Sequence, residues 1–472
     1  MLRLKRSSQI EKDQLLFSNK KLRKIIVPLL LSQILSMFVG MIDTIMVAYA
    51  GETAVAGVSL VNSLDVFLLI FFTSTIAGGA VVLSQSVGKK NYKETCESAK
   101  QLVYIVTMLA TILLIFVSIF REQILTLLFG DAEESIMQSA NDYFFFLAFS
   151  YPFVAIRDSI GACFRSSGNT KVSLVVSIIL NCTNIVLNAI FIMGCNMGAA
   201  GAALATLIAR IIGAGIMVVL ILQKKHLIHI EKIFHYKPDF SIVKKIMRIG
   251  IPNGIENAMF QFGRLMTQSL ISTMGKTAIA ANAVALNICN FQYMTGGAFS
   301  AAMITVVGIC IGAKEYQQAK YYSRKIMFFE YIALWTVVGG TFLFVNPLLS
   351  LYSLSAASAA LAKQLIFYHG IVGALIWPLG FVLNSVFRAA GDVRFSMVVS
   401  MSTMWIFRVF GGYVCALESV SVFGLFSIPG LGMGIYGVWL AMTIDWVFRC
   451  TLYLIHYIRE KWLDRKRLQL QA

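Results

Sequence analysis

Between Ile25 and Ala50 the sequence reads IIVPLLLSQILSMFVGMIDTIMVAYA, an apolar run holding a single acid, Asp43. A carboxyl group within hydrocarbon is expensive, at about 2.5–3.5 kcal/mol or more, so its presence points to ion chemistry: taking up a proton or holding a small cation. Asn181, Asn184 and Asn188 recur three and four residues apart in a later apolar run, which puts them on one helix face. Their amides offer oxygen to Na⁺ or hydrogen bonds to a carboxyl. Interhelical adhesion is the plainer role for such a stripe. Thr206 adds a hydroxyl on the next run. Whether Asp43 takes up a proton or a small cation is left open by the residues themselves.

Glu256 follows Pro252 by four residues, where a helix opens locally and admits water. It is a candidate coupling or substrate carboxylate, with an interhelical ion pair as the alternative. Asp65 is a further acid in an apolar run. Asn287, Asn290 and Tyr293 are candidates for lining a cavity. Asp445 and Arg449, four apart with the acid first, read as a structural pair. So does Arg157–Asp158, while Arg210 and Arg408 require partners on other helices.

These groups need apolar helices to hold them. Of 472 residues, 58% are hydrophobic and 13% charged, and the mean hydropathy is +0.76. That composition belongs to polytopic membrane proteins. Spans are expected at about 25–50, 54–86, 97–120, 135–164, 170–194 and 199–223, then 240–274, 279–311, 320–347, 356–387, 394–418 and 433–458. Pro28 is read as lying one turn into the first of them, where its missing N–H costs little. Lysines and arginines gather in alternate loops: Lys89, Lys90 and Lys93; Arg165 and Lys171; seven between Lys224 and Arg248; Lys314 to Lys325; Arg388 and Arg394; Arg459 to Arg467. The remaining loops carry Arg121, Lys276 and Lys363. Twelve spans with both termini in the cytoplasm sort the charges in this way.

The net charge of +17 therefore reflects membrane topology, and nucleic acid is not an expected partner. Eight scattered cysteines give no disulfide or metal pattern. No cofactor is expected. The five histidines form no Ser–His or metal constellation and no phosphate loop occurs, so the chain does not read as an enzyme.

The chain repeats itself. Pro28 and Pro252, Gly51 and Gly275, Gly88 and Gly312, and Tyr92 and Tyr316 each stand 224 positions apart. FRSSGNTK (164–171) matches FRAAGDVR (387–394), and MGAAGAALAT (197–206) matches MGIYGVWLAM (433–442). The expected organisation is a cytoplasmic N-terminal segment (1–24), an N-lobe of six spans (25–223), a cytoplasmic linker (224–239), a C-lobe of six spans (240–458) and a basic cytoplasmic tail (459–472). The basic stretch from Lys224 to Arg248 is read as partly an amphipathic helix near the headgroups. Six being even, the two lobes share an orientation and are related by an axis along the membrane normal. A central cavity is expected between them.

On these marks the chain resembles the multidrug and toxic compound extrusion (MATE) family, prokaryotic type. The similarity rests on Pro28 with Met41-Ile42-Asp43-Thr44, on Ala54-Val55-Ala56-Gly57, on the Asn181/Asn184/Asn188 stripe, and on Ile251-Pro252-Asn253-Gly254-Ile255-Glu256. The resemblance implies a secondary antiporter of a cytoplasmic membrane, exporting small organic, commonly cationic compounds against H⁺ or Na⁺ and working as a monomer. It implies that Asp43 acts with Asn184, Asn188 and Thr206, as a Na⁺ site or with a proton on Asp43, and that Glu256 serves a second site. Asn188 stands where several relatives carry a second Asp, and no helix-10 acid precedes Asp392, so both sites depart from the family pattern. A flippase of a lipid-linked precursor, in the same superfamily, is the alternative.

Overall fold

A computed structural model describes residues 15–130, 132–231, 236–352, 354–422 and 426–463. Most of the N-terminal segment, four residues of the linker and the end of the basic tail lie outside them.

The first half contains α1 (Asn19–Ala48), α2 (Glu52–Gly88), α3 (Tyr92–Phe129), α4 (Glu134–Phe149), α5 (Tyr151–Ser166), α6 (Thr170–Asn188) and α7 (Gly198–Ile221). A π-helical turn, Ala189–Gly194, extends α6. The second half contains α8 (Phe240–Ser272), α9 (Lys276–Gln292), α10 (Thr295–Gly312), α11 (Tyr316–Leu343), α12 (Val345–Ser350), α13 (Ala356–Phe381), α14 (Asn384–Ala389), α15 (Val393–Thr403), α16 (Gly411–Ala416) and α17 (Ile435–Ile458). A second π-helical stretch, Met404–Phe410, joins α15 to α16. A short antiparallel hairpin of β1 (Ser419–Val422) and β2 (Phe426–Pro429) follows α16.

Among the described residues ten helical stretches are long and apolar enough to cross a bilayer, or eleven with α4 and α5 taken as one span bent by 46°. The twelfth is α8. Its 33 residues reach about 50 Å at 1.5 Å per residue, but Lys244, Lys245, Arg248, Glu256 and Arg264 lower its hydropathy. The fold is thus all-α and polytopic, with twelve spans in two six-span lobes.

Cα packing divides the chain into two compact units. The first holds residues 1–254 and 308–315, so it includes the start of α8 and the end of α10. The second holds residues 255–307 and 316–472. In the first, α1 packs on α6, α2 on α3, α4 and α5, and α7 on α4, α5 and α6. In the second, α13 packs on α9 and α17, while α16 packs on α17. The 224-residue repeat also has a conformational side. Gly51 and Gly275 take φ values of 98° and 87° at the starts of α2 and α9, a region that side chains disfavour. Gly88 and Gly312 mark a close crossing of α2 with the end of α10, where a Cβ on either would press on the other helix's backbone.

Several sequence expectations need correction. The first helix starts at Asn19, because Ser18 caps it by accepting from Lys21 N at 3.3 Å. Pro28 is therefore interior and leaves the Lys24 carbonyl without its helical N–H. The Thr170 hydroxyl stands 3.0 Å from the Lys24 and Ile25 carbonyls and takes over as donor. Pro378 in α13 is treated alike: Trp335 Nε1 donates to the Ala374 carbonyl at 2.8 Å, and the Tyr331 hydroxyl donates to Leu375 at 2.9 Å. Four expected single spans are interrupted, 135–164 at Ser150, 279–311 at Tyr293–Met294, 320–347 at Phe344 and 356–387 at Val382–Leu383. Nor is there a separate interfacial helix over 240–248. Those residues are the first turns of α8, with Ile242 and Ile246 buried.

Thr170→Val keeps the shape of the side chain but strands the carbonyls freed at Pro28. It is expected to destabilise the protein by about 1–2 kcal/mol, with Thr170→Ser close to wild type. Thermal unfolding of the detergent-solubilised protein reads this, and a Val variant melting with wild type would remove Thr170 as the cover for the proline.

Candidate functional site

The stripe expected on the fifth span forms on α6, where Asn181, Asn184 and Asn188 are all buried. The π-helical turn begins directly after Asn188, a distortion frequent at functional sites. Because α1 packs along α6, half-buried Asp43 faces these amides. Asn188 Nδ2 donates to Asp43 Oδ1 at 2.9 Å. Asn184 also reaches the carboxyl: with its nitrogen turned inward it donates to Oδ1 at 2.9 Å and to Oδ2 at 3.3 Å. Its oxygen then accepts from Thr206 Oγ1 at 3.3 Å. Thr206 on α7 is itself 2.9 Å from the Ala202 carbonyl. Asn188 Oδ1 is buried with no partner. No Lys or Arg nitrogen lies within 4 Å of Asp43 among the described residues, so the carboxyl is met by amides and a hydroxyl alone.

Asp43, Asn184, Asn188 and Thr206 thus come together in the first unit. Asn181 lies on the same face, but its buried Nδ2 has no partner. Asp65 belongs to a different group. It is buried in α2 beside Tyr151, within electrostatic reach of Arg210. Arg210 donates to Ser150 Oγ at 2.6 Å at the α4–α5 bend, and Tyr143 donates to Asn62 Oδ1 at 3.3 Å nearby.

In the second unit Glu256 is held from three sides. Arg388 Nη2 stands 3.1 Å from Oε1, Asn384 Nδ2 donates to Oε1 at 3.2 Å, and Ser396 Oγ donates to Oε2 at 3.1 Å. This is an interhelical ion pair with its lone pairs occupied. Asp445 and Arg449 form the expected i,i+4 pair, 2.9 Å apart and buried. Arg157 likewise pairs with Asp158 at 2.7 Å. Arg408 lies over the Phe260 ring, 5.5 Å from its centroid.

The remaining candidates are dispersed. Asn287 and Asn290 are exposed on α9. Tyr293, at the α9–α10 break, donates its hydroxyl to the His369 carbonyl at 3.0 Å and stacks on Trp377 at 4.7 Å. A polar group absent from the sequence reading is Glu330, fully buried in the middle of α11, with the Thr295 hydroxyl donating to its Oε1 at 3.1 Å. The signal that drew attention to Asp43, an acid inside an apolar run, was present there too.

Known proteins supply the family. Residues 28–190 match MatE, and residues 252–414 match it again. The two stretches begin 224 positions apart, the spacing of the internal repeat. The "Probable multidrug resistance protein NorM" of Thermotoga maritima is 25% identical over 460 residues, 97% of this chain and 96% of that protein. A structure of a MATE protein in the bent conformation superposes with a TM-score of 0.83 at 17% identity, over 95% of this chain and 96% of that one. An outward-facing multidrug resistance MATE family transporter of the MOP superfamily gives 0.83 at 18%, over 93% and 95%. At such identities the two structures speak for the fold, while the doubled family match covers more than half of the chain. This chain is a multi-pass membrane transport protein and belongs to the multidrug and toxic compound extrusion family.

Proposed function

We propose that the protein is a monomeric secondary antiporter of a cytoplasmic membrane, with both termini in the cytoplasm. It exports organic, cationic, multidrug-type compounds while H⁺ or Na⁺ enters through Asp43. The observation that carries this reading is a membrane carboxyl set against two amides, with no cationic side chain within 4 Å among the described residues. Such a group can change its ionisation without breaking an ion pair. Relatives named for multidrug resistance support small organic substrates, and nothing at the site favours the flippase alternative.

The Asn184 amide suits a proton cycle. With its nitrogen toward Asp43, the ionised carboxylate receives N–H donors from Asn184 and Asn188. With its oxygen toward Asp43, a protonated carboxyl donates across the same 2.9 Å. The Asn184 nitrogen then donates to Thr206 Oγ1 at 3.3 Å, and the Thr206 hydroxyl donates to Ala202 O. Half a turn of one amide exchanges the two arrangements, and every donor keeps an acceptor. Sodium is the second reading, favoured by the buried, unpartnered Asn188 Oδ1. That oxygen, the Asp43 carboxylate, Asn184 Oδ1 and Thr206 Oγ1 are hard ligands suited to such a cation. Either ion drives export only by binding the two access states unequally.

Purified protein in sealed vesicles, loaded with rhodamine 6G and given separate pH and Na⁺ gradients, tests this. Asp43→Asn is expected to abolish gradient-driven dye movement with no loss of folded protein, and undiminished movement sinks the proposal. Asn184→Leu removes one charge-assisted hydrogen bond. With a weaker hold on the anion, half-maximal transport under a pH gradient should need about tenfold less H⁺, whereas under a Na⁺ gradient the lost amide oxygen should raise the Na⁺ needed by about ten- to a hundredfold.

A further inference from the structure

Glu330 is a further acid within a membrane span, and unlike Glu256 and Asp445 it has no arginine beside it; the coupling scheme above makes no use of it. It lies near the middle of α11 on a buried stripe with Ile326, Met327 and Leu334. One oxygen accepts from Thr295; the other, Oε2, is buried without a partner. Thr295 is the first residue of α10, directly after the break at Tyr293–Met294. On the other side of that break Gln292 is fully buried, and neither atom of its amide has a partner. A helix interrupted at membrane depth with polar groups about the break is a recurrent way of building an ion site.

The internal repeat argues that the scaffold does not require this acid. The position 224 before Glu330 is Val106, fully buried in α3. Phe71 and Leu68 stand in the same relation to Thr295 and Gln292, on an α2 that runs unbroken. The acid, the hydroxyl, the amide and the helix break therefore occur together in one half only.

The surroundings allow Glu330 to exist in both ionisation states. Burial disfavours the anion, whereas the N-terminus of the 18-residue α10 favours it. No cationic side chain lies within 4 Å among the described residues. On its own helix Lys325 turns to the Tyr321 hydroxyl at 3.0 Å, and Tyr331 donates to Leu375 O. The titratable groups of α9 are Lys276, its first residue, and Cys289; Tyr293 lies at the break; and α13 brings Lys363, Tyr368 and His369, the last engaged by Tyr293. The part of α10 in this unit brings none. One carboxyl and one hydroxyl are too few oxygens for a metal ion, but they suit a proton.

We propose that Glu330, oriented by Thr295, is a proton-binding site of the second lobe. Oε2 gains a proton in one access state and releases it in the other, adding one H⁺ to each export cycle. This rests on the antiport reading, but on a different carboxyl, so the two can fail separately.

The test is rhodamine 6G accumulation in vesicles holding the full chain, at a pH gradient of one unit with the potential clamped to zero. Losing one coupled proton lowers the steady-state accumulation ratio by about tenfold. Glu330→Gln, which mimics the neutral acid, is expected to show that loss, and accumulation equal to wild type overturns the proposal. If Glu330→Gln shows the loss while Asp43→Asn does not, the Asp43 reading falls and this one stands. A second readout needs no variant. Dicyclohexylcarbodiimide modifies protonated carboxyls in apolar surroundings, and mass spectrometry of wild-type protein locates the label. Labelling of Glu330 that declines as pH rises from 5 to 9 supports a titrating site, and pH-independent labelling marks a permanently neutral structural acid and overturns it.

Discussion

Hydrocarbon supplies no hydrogen bonds, so every polar group that enters it must find its partner within the protein. The acids of this transporter meet that constraint in different ways. Glu256 and Asp445 are neutralised by Arg388 and Arg449. Asp43 is met by amides and Glu330 by a hydroxyl, with no opposite charge beside either. The difference decides what each group can do. Protonating a carboxylate that is bonded to a buried guanidinium strands the cation, so that carboxylate holds helices together. Protonating one that faces amides leaves every charge accounted for, provided an amide can turn.

The same constraint governs the backbone at the prolines. On α1, the helix that carries Asp43, the Thr170 hydroxyl stands at equal distance from two carbonyls and has one hydrogen to give. The hydrogen-bond ladder is thinned there, fifteen residues before the acid. On α13 two separate donors, Trp335 and Tyr331, serve two carbonyls. Helices bend where the ladder is interrupted, and of these two proline helices α1 has the sparser cover.

Much of this architecture was legible in the sequence because it is written in residues with narrow conformational meaning. The paired prolines and glycines gave the duplication, and the alternating basic loops gave the span count. The residues alone singled out Asp43 and the amide stripe, as costly groups on apolar faces, and the family resemblance joined them with Thr206 into the set that meets. Boundaries were less legible. Hydropathy begins at Ile25, but a helix begins at its cap, so Ser18 moved Pro28 from the first turn to the interior. The breaks at Ser150 and Tyr293–Met294 carry no proline or glycine at the break itself, and hydropathy runs straight through them. Glu256 kept two readings until Arg388, 132 positions away, was seen beside it. Glu330 was hidden by its neighbours, Phe328, Phe329 and Tyr331, which make the segment read as ordinary aromatic packing.

Duplication explains why these sites differ rather than mirror one another. Counterparts across the repeat share the residues that shape the helices, namely Pro28 and Pro252, Gly51 and Gly275, and Gly88 and Gly312. They do not share the polar cargo. Asp43 stands opposite Thr267, which spends its hydroxyl on the Gly263 carbonyl; Val106 stands opposite Glu330, and Ala209 opposite Asp445. A side chain that fixes backbone geometry cannot change in one lobe without deforming that lobe, because the turn or close crossing it permits has no substitute. An apolar side chain at a helix interface is replaceable by an acid as soon as a neighbouring helix offers a donor. A scaffold that keeps its shape across the repeat is therefore free to place its titratable groups unequally, and any coupling they give depends on how each group is bound in the two access states.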